Sequence, residues 1–176
     1  PIFIYVDDGS TDKTLALLKG IIGDRKFYSL KIISFSRNFG HQLAISAGID
    51  ICKGDAAIII DADLQDPPEL IVDMIEKWLK GYDVVYGLRT KRKGESRFKL
   101  SSAKLFYRLL DYLSDIHIPQ GTGDFRLIDK KVISVIKDMP ESSRFLRGMI
   151  SWVGFNQAPV EYVREKRYAG KTKYPF

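Results

Sequence analysis

The 176-residue sequence has little cysteine, little histidine and no long apolar run. Cys52 is the single cysteine, which excludes a disulfide within the chain and a metal site built from several cysteines. No apolar stretch approaches the ~18 residues that cross a bilayer as a helix. Hydrophobic residues make up 45% and charged residues 28%, a composition typical of a folded globular domain.

The net charge of +6 is concentrated in the second half of the chain. Basic residues form two stretches there, the first with Arg89, Lys91, Arg92, Lys93, Arg97, Lys99, Lys104 and Arg108, the second with Arg164, Lys166, Arg167, Lys171 and Lys173. Such stretches favour phosphate-bearing partners, whether nucleotide, nucleic acid or anionic membrane. For any single lysine among them, a solvated surface is the preferred interpretation.

Apolar runs alternate with helical periodicity along the first half of the chain. Strands are predicted over 2–6, 31–35, 56–60 and 83–87. This βαβαβαβ order indicates an α/β fold with a parallel sheet and right-handed crossovers. Further on we predict a basic amphipathic helix over 97–113 and a glycine-containing loop over 121–127 that enters a short strand. Two helices over 132–139 and 145–153 and a last strand over 158–163 are predicted after it. Without linker or repeat, residues 1–176 form one predicted domain.

An acidic stretch directly follows the third apolar run. Asp61 and Asp63 are followed by Gln65 and Asp66, and Pro67-Pro68 stops the strand and suits a helix that starts near residue 69. The carboxylates therefore lie at the C-terminal end of a strand, where open α/β sheets bind ligands. A divalent cation with oxygen ligands would compensate their charge. The alternative is a strand end with solvated acidic side chains.

Asp8 follows the first predicted strand in the same way. Gly9 permits a tight turn after it, and Ser10 or Thr11 is expected to cap the next helix. Asp12 is interpreted as a turn or cap residue. His41, at the start of a helix predicted over 41–51, is interpreted as a loop or first-turn residue rather than a ligand.

Five motifs in this order resemble the family-2 glycosyltransferases. They occupy residues 6–12 (VDDGSTD), 37–40 (RNFG), 61–69 (DADLQDPPE), 123–127 (GDFRL) and 167–175 (RYAGKTKYP). The most similar branch is the polyprenyl-phosphate glycosyltransferases, which include dolichol-phosphate mannose synthases and bactoprenol glucosyltransferases. The resemblance covers nearly the whole chain. The chain differs in lacking the family's first strand and any C-terminal membrane helices, so we expect a fragment of a longer protein.

The resemblance implies a GT-A fold, a Rossmann-like and mostly parallel sheet flanked by helices. It implies inverting transfer of a hexose from a nucleotide sugar, of the UDP-glucose or GDP-mannose type, to undecaprenyl or dolichyl phosphate, with Mg²⁺ or Mn²⁺ as cofactor. A membrane-associated protein at the cytoplasmic face is expected, with the membrane surface and not nucleic acid as a partner. Assembly into a homo-oligomer is left open.

The resemblance also implies roles for particular residues. Asp124 and Asp61 would be catalytic, with Asp61 facing the nucleotide sugar, and Asp63 and Gln65 would hold the metal. The nucleotide sugar would contact Asp8, Asp61, Arg37, Arg167 and Lys171, and the acceptor phosphate would contact Arg89, Arg167 and Lys173.

The role of Asp124 depends on the acceptor. A hydroxyl acceptor needs a general base, which Asp124 would supply. A phosphate acceptor is already ionised at neutral pH, and Asp124 would then orient groups or balance arginines. Other interpretations are a phosphatase of the haloacid type, whose Asp-x-Asp is followed by Gly-Thr rather than the Leu64-Gln65 found here, and an inactive module that binds nucleotide sugar or nucleic acid.

Overall fold

The computed structural model describes residues 1–22, 29–91, 121–141 and 144–164. Its strands are β1 (Phe3–Asp7), β2 (Leu30–Ser34), β3 (Ala56–Ile59), β4 (Val84–Lys91), β5 (Thr122–Asp129) and β6 (Gln157–Val163). Its helices are α1 (Thr14–Gly20), α2 (His41–Asp50), α3 (Ile71–Leu79), α4 (Lys130–Asp138) and α5 (Leu146–Trp152), and a short 3-10 helix (Pro68–Leu70) precedes α3.

The strands form two sheets. β1 and β2 pair in parallel, and the other four strands follow the order β3-β5-β4-β6. β5 runs antiparallel to both β3 and β4, whereas β4 and β6 are parallel. The α/β class with helices against a sheet is confirmed, but the pairing within the larger sheet is mixed.

Helices cover both faces of the larger sheet, and its strands supply buried side chains to each face because successive side chains of a strand point to opposite faces. Val84 and Ile128 pack with α4 and α5 on one face. On the other face, Val85 and Leu127 pack with Met74 of α3. Burial of each such aliphatic side chain contributes about 1.5–3 kcal/mol. β5 supplies both cores and is thereby fixed in the middle of the sheet.

The predicted element order is confirmed where the structure describes it, with ends that differ by a few residues. Pro68 lies at the start of the 3-10 helix, as the sequence indicated. The expected cap of α1 at Ser10 or Thr11 is wrong, since the helix begins later and Asp12 accepts the Thr14 N–H at 2.9 Å instead. β5 spans eight residues rather than the short strand that was predicted.

The basic helix predicted over 97–113 lies outside the described residues. Among the described helices, none has the length and apolarity to span a bilayer.

Candidate active site

The turn after β1 is built against the loop that precedes α2. The Asp8 carboxylate accepts the Phe39 N–H at 2.7 Å and the Gly40 N–H at 3.0 Å. Gly9 has φ +68°, and a Cβ there would come closer than 3.0 Å to backbone atoms of Arg37, so only glycine fits without displacing the loop. Arg37 itself is exposed, and its guanidinium carbon lies 4.0 Å from the centre of the Phe39 ring. Asp8 thus fixes the backbone directly before His41.

Asp61 and Asp124 meet at a histidine. His41 Nε2 lies 2.9 Å from Asp124 Oδ2 and 3.6 Å from Asp61 Oδ1. The hydrogen bond with Asp124 raises the pKa of His41 above its usual value, with the Asp61 charge adding to the effect and partial burial opposing it. Burial also raises the pKa of Asp61, and the neighbouring carboxylates of Asp63, Asp66 and Asp124 raise it further, against the effect of His41.

Asp124, in β5, is surrounded by cations and donors. Arg147 Nε, on α5, forms an ion pair with Asp124 Oδ1 at 3.1 Å. Gln42 Nε2 approaches the other oxygen at 3.4 Å and is itself fixed, since Gln42 Oε1 accepts the Leu146 N–H. Burial acts to raise the pKa of Asp124, but the hydrogen bond with His41 and the Arg147 charge outweigh it and lower the pKa below its usual value. A carboxylate in this environment is a weak base.

Arg126, on β5, is the second arginine close to Asp124 among the described residues. Arg126 is 5% exposed and donates to Gly123 O at 2.7 Å. Burial lowers the pKa of Arg126 to about 10, while the Asp124 charge acts in the opposite direction. Arg126 therefore remains a cation at neutral pH and adds to the positive potential around Asp124.

The loop after Asp61 places Asp63 beside Gln65. The Gln65 N–H donates to Asp63 Oδ1 at 3.1 Å, and Leu64 between them has φ +56°, a left-handed conformation that is uncommon for a non-glycine residue. Within the described ranges, no three histidine, cysteine or acidic side chains converge as a metal site. The Asp63 carboxylate and the side-chain oxygen of Gln65 are ligand types that Mg²⁺ accepts, since Mg²⁺ characteristically takes one or two protein carboxylates and completes its shell with water and phosphate oxygens.

Asp66, from the same loop, is fully buried, and its charge acts on Asp61. Asp66 Oδ1 accepts a hydrogen bond from the Tyr162 hydroxyl, and Arg89 Nη2 and Arg164 Nε lie 3.5 Å and 3.8 Å from the same oxygen. Arg89 Nε also donates to the Tyr162 hydroxyl at 3.0 Å. Burial acts to lower the pKa of Arg89, but Tyr162 and Asp66 raise it. Gly123 lies against the Arg89 guanidinium, where any Cβ would overlap it.

The structure therefore brings Asp61, Asp124 and the Asp63–Gln65 loop together, with Arg89 against Gly123. Asp8 holds the adjoining loop by its carboxylate, and Arg37 lies on that loop. Three candidate site residues, Arg167, Lys171 and Lys173, lie outside the described residues, as does most of the first basic stretch.

Comparison with known proteins assigns the chain to a family. A family model described as Glycosyl transferase family 2 matches residues 3–136. The chain belongs to glycosyl transferase family 2. This family 2 member is 57% identical over 174 residues to the uncharacterized glycosyltransferase YkcC of Bacillus subtilis (strain 168), covering 98% of the chain and 53% of that relative.

A relative from the branch that the motifs resemble, the polyprenyl-phosphate glycosyltransferases, also matches the family 2 chain. The prophage bactoprenol glucosyl transferase homolog of Escherichia coli (strain K12) is 43% identical over 172 residues, covering 97% of the chain and 55% of the relative. The resemblance stated from the motifs is confirmed. The chain spans about half the length of the curated relatives it matches.

Solved structures support the same fold. Glucosyl-3-phosphoglycerate synthase from Mycobacterium tuberculosis, in complex with Mn²⁺, UDP-glucose and phosphoglyceric acid, matches with a TM-score of 0.52 and 21% identity, over 95% of this chain and 61% of that one. A mycobacterial protein matches with a TM-score of 0.56 and 18% identity, over 96% and 58%. At this identity the match confirms the GT-A fold alone.

Several residues of the site were not found from the family 2 motifs. Arg147 and Tyr162 follow no motif, because an arginine in a helix and a tyrosine in a strand are common anywhere. His41 had one signal, its place directly after the 37–40 motif at a helix start. Its two carboxylate partners lie 20 and 83 positions further along the chain, which only the fold reveals.

Proposed function

We propose that this chain is the catalytic domain of an inverting glycosyltransferase that moves a hexose from a nucleotide sugar to a polyprenyl phosphate. An oxygen of the lipid phosphate would attack the anomeric carbon, and the bond from that carbon to the nucleoside diphosphate would break on the opposite face. The products are a lipid-linked sugar phosphate and a nucleoside diphosphate. Relatives that carry the name bactoprenol glucosyl transferase, at 42–43% identity over 97% of the chain, support this substrate class.

The observation that carries the proposal is the environment of Asp124. An acceptor hydroxyl must lose a proton and needs a competent base, whereas a phosphate acceptor is already anionic. Asp124 is compensated by Arg147 and hydrogen-bonded by His41, and its pKa is lowered, so it is poorly suited to accept a proton. The same cations suit an anionic acceptor, and Asp124 then acts by orienting them.

We propose that Asp63 and Gln65 hold a Mg²⁺ or Mn²⁺ ion on the donor diphosphate. Bound there, the ion would neutralise the charge that develops on the leaving diphosphate. Asp61 lies two residues before Asp63 and would face the sugar. Arg37, on the loop held by Asp8, would lie at the nucleotide end.

We keep the roles expected for Arg89 and for the 167–175 segment as parts of this proposal. Arg89 would contact the acceptor phosphate from beside Gly123, with Arg167 and Lys173, while Lys171 would contact the donor. A lipid acceptor requires the site to reach the membrane surface, for which the basic stretches are suited. The cytoplasmic face would then supply the soluble nucleotide sugar.

The test compares two acceptors in the purified full-length protein. Labelled UDP-glucose and GDP-mannose are each offered with a polyprenyl phosphate or with the matching polyprenol. We expect transfer to the phosphate alone, and we expect Asp124→Asn to reduce turnover by about 10²-fold with donor affinity retained. Transfer to the polyprenol in preference to the phosphate would contradict the proposed acceptor class.

A further inference from the structure

Two arginines meet at one buried carboxylate beside the site. Arg89 lies in β4, and Arg164 directly follows β6, which pairs with β4 in parallel. Arg89 Nη2 lies 3.5 Å and Arg164 Nε lies 3.8 Å from the same oxygen, Asp66 Oδ1. Among the described residues, Asp66 is the one carboxylate at ion-pair distance from either arginine. Two cations therefore share one negative charge, and the group keeps an excess positive charge.

Arg89 is held in a fixed orientation within this group. Its Nε donates to the Tyr162 hydroxyl at 3.0 Å, and its Nη2 faces Asp66. Tyr162 lies opposite Arg89 in the register of β4 and β6, and its hydroxyl donates in turn to Asp66. The guanidinium also lies against Gly123, where a Cβ would overlap it. Arg89 is thereby fixed beside the residue that precedes Asp124, and its Nη1 nitrogen takes part in neither hydrogen bond.

Arg164 has fewer contacts than Arg89. Its side chain is 29% exposed, so it is partly withdrawn from water but still reaches the surface. Its Nε is buried and has no hydrogen-bond partner among the described residues, since Asp66 at 3.8 Å is too far away to accept one. A buried donor without a partner is unfavourable, because it has lost its hydrogen bonds to water. Arg164 is thus a cation held near Asp66 by charge alone.

The chemistry of this group favours a phosphate as its ligand. Guanidinium groups bind phosphate oxygens through paired N–H donors, and these charge-assisted hydrogen bonds are stronger than neutral ones. A phosphate would neutralise the excess charge of the two arginines, whereas a neutral hydroxyl would not. Asp66 offsets part of the repulsion between the two guanidinium groups and so allows them to lie close together before the ligand arrives.

We propose that Arg164 is a further binding residue for the acceptor phosphate and acts together with Arg89, while Tyr162 and Asp66 position the two guanidinium groups. This deepens the proposed function and rests on it, because Arg89 beside Gly123 is expected to contact the acceptor. The diphosphate of the nucleotide sugar is the other phosphate group that two arginines could bind, and the experiment distinguishes the two.

The test measures binding in the purified full-length protein, by titration calorimetry and without transfer. The ligands are farnesyl phosphate, which is a short polyprenyl phosphate, farnesol, which lacks the phosphate, and the donors UDP-glucose and GDP-mannose. Arg164→Gln removes the charge, and Arg164→Lys keeps it without the planar guanidinium. We expect the Kd of farnesyl phosphate to rise about tenfold in Arg164→Gln and about threefold in Arg164→Lys. The affinities for farnesol and for the donors should stay within about twofold of wild type, which also shows that the variants are folded.

Lys130→Gln is the matched control for the loss of a positive charge. Lys130 follows the opposite end of β5 from Asp124 and pairs with the exposed Asp55 at 2.8 Å, so its substitution should leave every affinity unchanged. Unchanged binding of farnesyl phosphate in Arg164→Gln would overturn the proposal. An equal loss of donor affinity would also overturn it, because the two arginines would then serve the donor diphosphate. Failure of transfer to polyprenyl phosphate would refute the proposed function and would leave this binding result intact.

Discussion

Tyr162→Phe tests whether the hydrogen-bonded cluster of Tyr162, Asp66 and Arg89 stabilises the fold. The Tyr162 side chain is 6% exposed and Asp66 is 1% exposed. The hydroxyl donates to Asp66 and accepts from Arg89, so its removal deletes two hydrogen bonds with charged partners. Phenylalanine keeps the ring, which packs edge-to-face on Phe125 with centroids 6.1 Å apart, so the change leaves the apolar packing in place.

The size of the effect follows from the charge of the partners. A hydrogen bond to a charged group contributes about 1.5–3 kcal/mol. Arg89 Nη2 remains 3.5 Å from Asp66 Oδ1 and can move closer, which offsets part of the loss. Asp66 Oδ2 is buried and has no hydrogen-bond partner among the described residues. That oxygen therefore offers no second hydrogen bond that would compensate the one lost from Tyr162. We expect the free energy of unfolding to fall by about 2–4 kcal/mol.

Urea unfolding of Tyr162→Phe, wild type and Tyr82→Phe measures this effect. Tyr82 packs at the edge of the same core, and its substitution should change the free energy of unfolding by less than about 0.5 kcal/mol. Burial and the hydrogen bond to Asp66 raise the pKa of Tyr162 to about 12. The neutral hydroxyl therefore stabilises the fold below pH 10, and this contribution declines as pH rises through about 12. A Tyr162→Phe variant as stable as Tyr82→Phe would refute the reasoning.

Two further predictions concern the ends of β1 and β3. Asp63→Ala should abolish transfer and weaken Mn²⁺-dependent binding of the nucleotide sugar in titration calorimetry, and full wild-type activity in excess chelator would contradict the metal site. Gly9→Ala should lower the free energy of unfolding by more than about 1 kcal/mol, because φ +68° and the Arg37 backbone both disfavour a Cβ there. The control is Gly20→Ala, where a Cβ meets nothing within 4 Å. Similar unfolding midpoints for the two glycine variants would count against the close packing of the turn on the loop.

The local sequence determined the helices and strands, and it determined the strand ends at which the acidic residues lie. Apolar runs that stop at Asp8 and Asp61 define strand ends, and Pro68 fixes where the next helix begins, because these effects act within a few residues. The motifs that contain Asp63 and Asp124 were likewise readable from the sequence. The family followed from their order along the chain.

The tertiary structure decided how those ends are combined. Periodicity shows that a strand is buried but not which strands flank it, so the place of β5, antiparallel between β3 and β4, was not predicted. Arg147 of α5 and His41 of α2 reach the site because both helices bring their side chains to Asp124 of β5. Tyr162 reaches Arg89 because β6 pairs with β4 at the edge of the same sheet. Ion pairs and hydrogen bonds act over a few ångströms in space and are indifferent to separation along the chain. That is why the sequence alone predicted the carboxylates of this site and Arg89, whereas only the fold shows that Arg147 and His41 contact Asp124.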